Sequence, residues 1–294
     1  MKLLVTGTQG QLARALIEKG LAHDVEIIAV GRPALDLDAP DGVERALDAF
    51  DAEIVVNAAA YTAVDKAETD EAAAFRANAD SAGRVAAWSA RRRLPLLHIS
   101  TDYVFSGDLD RPYREEDKTG PVAAYGRTKL AGEVAVARAH PQAAIFRTAW
   151  MHAPYGSNFV ATMLRLGETR DEIGVVADQW GSPTYVLDLA EVIIAFAKMR
   201  VAQPQDAALS GVFHAVGAGY CTWADFAEAI FARAAELGRK TTRVRRITTQ
   251  DYPTPAKRPK NSRLDTSKLA NVLGAVPPHW RESARLCVDR RLRG

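Results

Sequence analysis

The segment AAYGRTKLAGE, residues 123–133, places a tyrosine four positions before a lysine. On a helix, residues four apart share a face, so Tyr125 and Lys129 are expected to stand side by side. A free tyrosine has a pKa of about 10, and a neighbouring ammonium lowers it by stabilising the phenolate. The pair could therefore donate or accept a proton at neutral pH, although the same spacing also occurs on ordinary surface helices.

A second polar group follows an apolar run in HISTDYVFSG, residues 98–107. If the run is a buried strand, Ser100, Thr101 and Asp102 lie at the carboxyl edge of a sheet, where open α/β sheets bind ligands. Thr101 could then hydrogen-bond the same substrate oxygen as Tyr125. The alternative is that Thr101 and Asp102 only initiate the following turn.

The first apolar run leads directly into TGTQGQLARAL, residues 6–16. A strand, a glycine turn and a helix are what a dinucleotide needs, because its pyrophosphate is bound by backbone N–H groups at a helix N-terminus. Gly7 would permit the turn, Gly10 the close approach of the phosphates, and Ala13 the packing of helix on strand. The alternative is a glycine turn that binds no ligand.

The second apolar run ends in AVGRPALDLD, residues 29–38. Gly31 and Arg32 stand where an acidic residue would bind the ribose of NAD, and an arginine there can bind the 2′-phosphate of NADP. The sequence therefore predicts NADPH as cofactor. NADH remains possible, since Asp36 and Asp38 are near enough to contact the ribose, and Arg32 could also be a plain surface charge.

These residues need a scaffold of alternating strands and helices, which the sequence supplies. Helical periodicity extends over residues 72–89 and 130–139. Five short apolar runs are predicted to be buried strands: 3–7, 25–30, 53–58, 95–100 and 143–148. The alternation predicts an α/β fold, with a Rossmann-type doubly wound parallel sheet and a smaller, mostly helical C-terminal substrate lobe.

Two lobes are predicted from this pattern. Residues 1–150 and about 175–219 would form the NAD(P)-binding Rossmann domain, with strand and helix continuing through VVADQWGSPTY and VLDLAEVIIAFAK. Residues about 151–174 and 220–294 would form the substrate-binding lobe over the carboxyl edge of the sheet.

Composition and charge exclude several classes of protein. The formal net charge of +2 is too small for a protein that neutralises phosphates, so no nucleic-acid partner is predicted. The cysteines, Cys221 and Cys287, form no CxxC pair and the histidines are scattered, so no metal site is predicted. No apolar run suits a signal peptide or a bilayer span, which predicts a cytoplasmic protein with no membrane partner.

Several motifs together carry a resemblance that covers essentially the whole chain. They are TGTQGQLA, NAAAYTAVDKAE, STDYVFSG, YGRTKLAGE, IFRTAW, NFVATMLRL, DQWGSPT and RPKNSRLDTSKL. The sequence resembles the dTDP-4-dehydrorhamnose reductases of the extended short-chain dehydrogenase/reductase superfamily. That family reduces the 4-keto group of dTDP-6-deoxy-L-lyxo-4-hexulose with NADPH or NADH, which implies an oxidoreductase of dTDP-L-rhamnose and polysaccharide biosynthesis.

The resemblance implies a role for each matching residue. Tyr125 would donate a proton to the new 4-hydroxyl, Lys129 would lower the Tyr125 pKa and hold the nicotinamide ribose, and Thr101 would orient the carbonyl. The implied cofactor contacts are Gly7, Gly10, Gln11, Leu12, Arg32, Asp36, Leu37, Ala58, Ala59, Ala60, Tyr61, Thr62, Tyr125 and Lys129. The implied sugar-nucleotide contacts are Thr62, Val64, Thr101, Asp102, Tyr103, Tyr125, Trp150, Asn158, Arg258 and Arg263.

Three further expectations concern polar and charged residues near the predicted site. Arg258, Asn261 and Arg263 would close over the nucleotide diphosphate. Asp65 and Glu68 fit a capping pair at a helix start. Sugar-nucleotide 4,6-dehydratases need two carboxylic acids after the threonine, but Asp102 is followed by Tyr103, which disfavours dehydration.

Two alternatives to this function remain open. One is a reductase of another 4-keto-6-deoxy sugar nucleotide, since the stereochemistry depends on how the sugar is turned in the pocket. The other is non-catalytic, because a similar fold serves as the regulatory β subunit of methionine adenosyltransferase. A homodimer is possible, although CVDRRLRG lacks the glutamates through which some relatives share Mg²⁺.

Overall fold

The computed structural model describes residues 1–293, and a parallel sheet of six strands forms its centre. The strands are β1 (Lys2–Thr6), β2 (Glu26–Val30), β3 (Ile54–Asn57), β4 (Leu96–Thr101), β5 (Ala144–Thr148), β6 (Met151–His152), β7 (Glu172–Val176), β8 (Trp180–Gly181), β9 (Thr184–Tyr185), β10 (Gly211–His214), β11 (Cys221–Thr222) and β12 (Arg243–Ile247). Across the sheet the order is β10, β5, β4, β3, β1 and β2, and every neighbouring pair is parallel. The predicted Rossmann-type sheet is confirmed.

Helices cover both faces of this sheet. They are α1 (Gln11–Ala22), α2 (Val43–Leu47), α3 (Val64–Ala67), α4 (Glu71–Phe75), α5 (Ser81–Arg91), α6 (Ala124–Ala139), α7 (Phe159–Thr169), α8 (Val186–Ala202), α9 (Trp223–Glu236), α10 (Ser267–Leu273) and α11 (Trp280–Arg293). Within residues 1–293, no helix combines the length and the apolar composition that crossing a bilayer requires.

The sheet separates two apolar cores. Leu3 and Val5 of β1 point into one core, which α1 and α8 cover, whereas Leu4 points into the other, beside Trp88 of α5. Successive side chains of a strand alternate between faces, so a strand buried on both faces is apolar throughout. Because all neighbouring strands are parallel, their carboxyl ends meet at one edge of the sheet.

All five predicted central strands are present, each within about two residues of its predicted ends. The predicted helix over residues 72–89 is interrupted by a π-helical turn at Arg76–Asp80. The predicted helix over residues 130–139 begins earlier, at Ala124, because the Glu68 carboxylate accepts a hydrogen bond from the Ala124 N–H at 2.8 Å. This start puts Tyr125 and Lys129 on the same helix, as their four-residue spacing predicted.

The segment VVADQWGSPTY contributes no strand to the central sheet. Three short ladders form instead: β7 pairs with β12, β8 with β11, and β6 with β9. The sixth central strand, β10, was not singled out from the sequence. The division into two lobes, with its bounds near residues 151, 175 and 220, stays a prediction.

Candidate functional site

A cleft of about 1000 Å³ lies at the carboxyl edge of the sheet, between the turn after β1 and the segment after β5. Most predicted site residues line it: Gly7, Gly10, Gln11, Leu12, Arg32, Leu37, Ala58, Ala59, Ala60, Tyr61, Thr62, Val64, Thr101, Asp102, Tyr103, Tyr125, Lys129 and Trp150. Four do not line it: Asp36, Asn158, Arg258 and Arg263. Such a concave site at the sheet edge is where this class of fold binds ligands.

The turn after β1 has the geometry of a phosphate cradle. Gly7 has a φ of +93°, which favours glycine, and its N–H donates to the Val30 carbonyl at 2.6 Å. A Cβ added to Gly10 would meet no atom within 4 Å, so this residue borders open space. No side chain caps the N-terminus of α1, which leaves its first N–H groups free for an anion.

Arg32 lies on the exposed rim of the cleft, between two carboxylates. Its Nε donates to Asp36 Oδ1 at 2.8 Å, and its Nη2 pairs with Asp38. Of the two acids only Asp38 lines the cleft. The guanidinium is therefore placed for an anionic ligand, in competition with two acidic side chains.

Thr101 ends β4, where it starts the following turn and also lines the cleft. Its hydroxyl donates to Asp102 Oδ1 at 2.9 Å and accepts from the Tyr103 N–H at 3.3 Å, so it caps the following turn while lining the cleft. Burial raises the pKa of Asp102 to about 6, and the hydroxyls of Ser262 and Thr101 oppose that shift. The Thr101 hydroxyl and the Asp102 carboxyl group are thus hydrogen-bonded to each other in the lining of the cleft.

Tyr125 lies in the first turn of α6, with its ring edge-on to Tyr103 at a centroid distance of 5.6 Å. Burial raises the pKa of Tyr125, the Asp102 carboxylate raises it further, and Thr101 lowers it. The tyrosine is therefore held as the neutral phenol, and the lowering of its pKa by Lys129 that the resemblance implied stays a prediction.

The ammonium of Lys129 is buried against the sheet. Its Nζ donates to the Ile99 carbonyl at 2.7 Å. Burial lowers the pKa of Lys129 to about 8, and the negative charge of Glu133 opposes that shift. Lys129 lines the cleft, and its carbonyl partner Ile99 precedes Thr101 by two residues on β4.

A buried group of polar side chains near Lys129 was not predicted from the sequence. Glu133, one helical turn after Lys129, accepts from Arg147 Nε at 2.9 Å and Nη2 at 2.7 Å, and from Ser100 Oγ at 2.5 Å. All three side chains are buried. The signal was present in YGRTKLAGE and IFRTAW, but only the pairing of Ser100 with Arg147 across β4 and β5 brings the groups together.

Asn158 is engaged in structural hydrogen bonds outside the cleft lining. Its Oδ1 caps α7 by accepting from the Ala161 N–H at 3.1 Å, and its Nδ2 donates to Gln11 Oε1 at 3.2 Å. It therefore supports the residue that follows Gly10. Its role as a direct substrate contact stays a prediction.

The basic loop around residues 256–263 is fastened to the rest of the chain. Arg258 Nη2 donates to Asp65 Oδ2 at 2.9 Å, and the Ala256 N–H donates to Asp65 Oδ1 at 3.1 Å. Asn261 is buried and donates to the carbonyls of Leu109 and Arg111, both at 2.8 Å. Asn261 thus holds the loop.

Arg263 contacts its own loop and an aromatic ring of β8. Its Nε donates to Asn261 Oδ1 at 2.8 Å, and its guanidinium lies 5.8 Å from the Trp180 ring. Contacts of Arg258 and Arg263 with a diphosphate stay predictions.

The predicted capping pair of Asp65 and Glu68 is wrong. Helix α3 begins after Ala63 without a side-chain cap. The two carboxylates act over long range instead, since Asp65 pairs with Arg258 and Glu68 caps α6 at Ala124. A capping pattern in sequence cannot show that a distant donor competes for the same carboxylate.

The cleft is also lined by residues outside the two sets of contacts that the resemblance implied. They are Thr6, Thr8, Gln9, Ala13, Val30, Gly31, Leu35, Asp38, Lys66, Ala77, Ile99, Ser100, Thr148, Ala149, Met151 and Ser157. Within the described residues 1–293, no group of three or more histidine, cysteine or acidic side chains is placed to hold a metal ion.

Known proteins resemble this chain along its whole length. A family model described as RmlD substrate binding domain matches residues 1–293. The dTDP-4-dehydrorhamnose reductase of Sinorhizobium fredii is 45% identical, over 98% of this chain and 97% of that protein. A Streptomyces antibioticus protein named probable dTDP-4,6-dihydroxy-2-methyloxan-3-one 4-ketoreductase is 42% identical, over 97% of this chain and 94% of that protein.

A solved structure agrees with these relatives. The dTDP-4-dehydrorhamnose reductase of Bacillus anthracis, crystallised in complex with NADP, has a TM-score of 0.88 and 35% identity, over 97% of each chain. The resemblance inferred from the motifs is confirmed, and the chain belongs to the RmlD substrate binding domain family.

Proposed function

We propose that this protein reduces the 4-keto group of dTDP-6-deoxy-L-lyxo-4-hexulose to give dTDP-L-rhamnose, with NADPH as hydride donor. One observation carries the proposal: the glycine turn after β1 and the set Thr101, Tyr125 and Lys129 line the same cleft. A cofactor in the cradle would extend toward the tyrosine, which is the arrangement that carbonyl reduction requires.

The cradle fits a dinucleotide. Gly10 borders open space and the N-terminus of α1 is uncapped, so a pyrophosphate can approach its N–H groups. The Bacillus anthracis relative was crystallised with NADP, and Arg32 offers a guanidinium for the 2′-phosphate. When bound, NADPH would supply the hydride to C4 of the sugar.

Side chains of this protein would manage the proton and the developing charge. Tyr125, neutral because its pKa is raised, would donate its proton to the oxygen that was the carbonyl. Thr101 would hydrogen-bond the same oxygen, and Lys129, charged below its pKa of about 8, would stabilise the phenolate that remains. The neutral starting state of Tyr125 suits an acid better than a base.

The sugar nucleotide would lie over the part of the cleft between Thr62, Tyr103 and Trp150. The remaining predicted contacts, Asn158, Arg258 and Arg263, would reach the sugar nucleotide from the loops around that region. A homodimer and a cytoplasmic location stay predictions.

A second candidate substrate is another 4-keto-6-deoxy sugar nucleotide. The Streptomyces antibioticus relative is named as a 4-ketoreductase of a different dTDP-sugar and is nearly as similar as the Sinorhizobium fredii protein. The site residues named above would serve either substrate, since they act on the reacting oxygen and not on the rest of the ring.

The decisive experiment follows NADPH absorbance with dTDP-4-keto-6-deoxy-D-glucose, with and without a 3,5-epimerase, and identifies the product by NMR. Oxidation that needs the epimerase and yields dTDP-L-rhamnose supports the proposal. Oxidation without the epimerase indicates another deoxysugar. No oxidation in either mixture, together with stoichiometric recovery of a methionine adenosyltransferase, would indicate the regulatory alternative.

The acid is tested by Tyr125→Phe. We expect turnover to fall by about 10²–10⁴-fold, because the donor is lost, while NADPH affinity is unchanged. Tyr252→Phe is the matched control, since Tyr252 is 61% exposed and lies outside the cleft lining. Wild-type turnover in Tyr125→Phe would remove Tyr125 from this role.

A further inference from the structure

Trp150 adopts a backbone conformation that few non-glycine residues use. Its φ is +45°, in the left-handed region, and it sits between the end of β5 and the start of β6. Its carbonyl accepts from the Thr184 N–H at 3.2 Å, and its indole lines the cleft. A strained residue at a ligand site persists only where its surroundings determine its position.

Trp223 covers one face of the Trp150 indole. The two ring systems lie 3.5 Å apart between centroids and 10° from parallel. Trp223 is the first residue of α9, and the preceding Thr222 forms a capping box with Asp225. Phe159 of α7 packs against Trp223 from another side, with centroids 4.7 Å apart. The stacked ring is thus held by a helix start and a neighbouring helix.

Gly181 covers the other face. A Cβ built on Gly181 would collide with the indole of Trp150, at 2.6 Å from Cζ2 and 2.7 Å from Nε1. Those nearly equal distances to the two ring neighbours of Cε2 place the glycine above the ring plane and not beside it. The Gly181 backbone is itself fixed, because β8 pairs with β11 and Gly181 stands opposite Cys221.

We infer that Gly181 and Trp223 form a clamp that presents Trp150 to the sugar by its edge, so that Trp223 is a positioning residue for substrate binding. With both faces covered, the indole cannot stack on a sugar ring, and only its edge remains to line the cleft. Gly181 belongs to the β8–β11 ladder, and Trp223 begins the helix that follows β11. This inference rests on the proposed function.

Three variants test the clamp. Trp223→Leu removes the ring that stacks on Trp150, and Gly181→Ala places a methyl group against the Trp150 indole. We expect each to raise the KM for the sugar nucleotide about tenfold, with a smaller change in kcat and no change in NADPH affinity. Trp223→Phe keeps an aromatic face and should restore most of the affinity. Trp180→Leu removes an indole that is not stacked on Trp150 and is the control for the spectrum described below, and Tyr252→Phe, outside the cleft lining, is the control for KM.

A second measurement does not depend on turnover. Two stacked indoles couple their electronic transitions, so the wild-type circular dichroism spectrum should contain an exciton couplet that Trp223→Leu abolishes and Trp180→Leu retains. Loss of the couplet with an unchanged KM would overturn the positioning role, and a wild type without the couplet would overturn the clamp. A wild type with the couplet but no activity on any sugar nucleotide would instead contradict the proposed function.

Discussion

Two arginine–carboxylate clusters in the cleft region differ mainly in their burial. Arg147 donates twice to Glu133, and the two side chains are only 4% and 6% exposed. Arg32 pairs with Asp36 and Asp38, but its side chain is 63% exposed. Both clusters pair an arginine with carboxylates, but Glu133 follows Lys129 by one turn of α6 whereas Arg32 lies on the exposed rim of the cleft.

Burial decides what each cluster can do. Removing water strengthens the attraction between Arg147 and Glu133 but makes an unpaired member very unfavourable, so the pair cannot exchange partners. Water screens Arg32, so an incoming phosphate can replace a carboxylate at little cost. The buried cluster is suited to hold a geometry, and the exposed one is suited to bind an anion.

The largest expected effect is on stability. Glu133→Gln leaves the buried guanidinium of Arg147 without its anion, and we expect a loss of about 3–5 kcal/mol in the free energy of unfolding, measured by urea denaturation. Glu71→Gln is the control, because Glu71 makes an equally bidentate pair with Arg127 that is 45% exposed on both sides. It should cost about 0.2–1 kcal/mol. Equal losses would contradict the comparison.

The next effect concerns pH. Lys129 is charged below its pKa of about 8 and neutral above it, so kcat/KM for NADPH should fall as pH rises through about 8. The same shift predicts a stability change of opposite sign. Between about 8 and the ordinary lysine value of 10.5 the unfolded chain binds more protons, so the free energy of unfolding should rise with pH.

Lys129→Met is the variant that tests both parts of the pH prediction. It should abolish the fall in kcat/KM and the rise in stability over this range. A fall that persists in Lys129→Met would assign it to another group.

The smallest effect is at the rim. Arg32→Ala should weaken NADPH binding several-fold more than NADH binding, because only NADPH carries the 2′-phosphate. Fluorescence titration with each nucleotide measures the difference, and thermal unfolding should show no change. An equal effect on both nucleotides would remove Arg32 from 2′-phosphate recognition.

Local patterns were sufficient for much of the site. The glycine turn, the residues of STDYVFSG at the strand end and the helical pair Tyr125 and Lys129 were all predicted to converge at one sheet edge, and they line one cleft. This worked because an alternating chain with a parallel sheet brings every strand's carboxyl end to the same side.

Contacts between residues far apart in sequence could not be predicted from local patterns. Glu68 and Asp65 suggested a local cap but bind Ala124 and Arg258. The strand-like segment VVADQWGSPTY pairs outside the central sheet. In each case the partner lies far along the chain, and a local pattern contains no information about which distant donor or strand competes successfully.

By itself the sequence determined the fold class, the glycine turn and the candidates for the reacting side chains, because these depend on periodicity and on residue chemistry within short segments. Only the tertiary structure decided that Lys129 is buried on the Ile99 carbonyl, that Arg147 neutralises Glu133, and that Trp150 is clamped between Gly181 and Trp223. Burial, charge pairing and the covered faces of a ring are properties of packed neighbours, and packing exists only once distant segments have met.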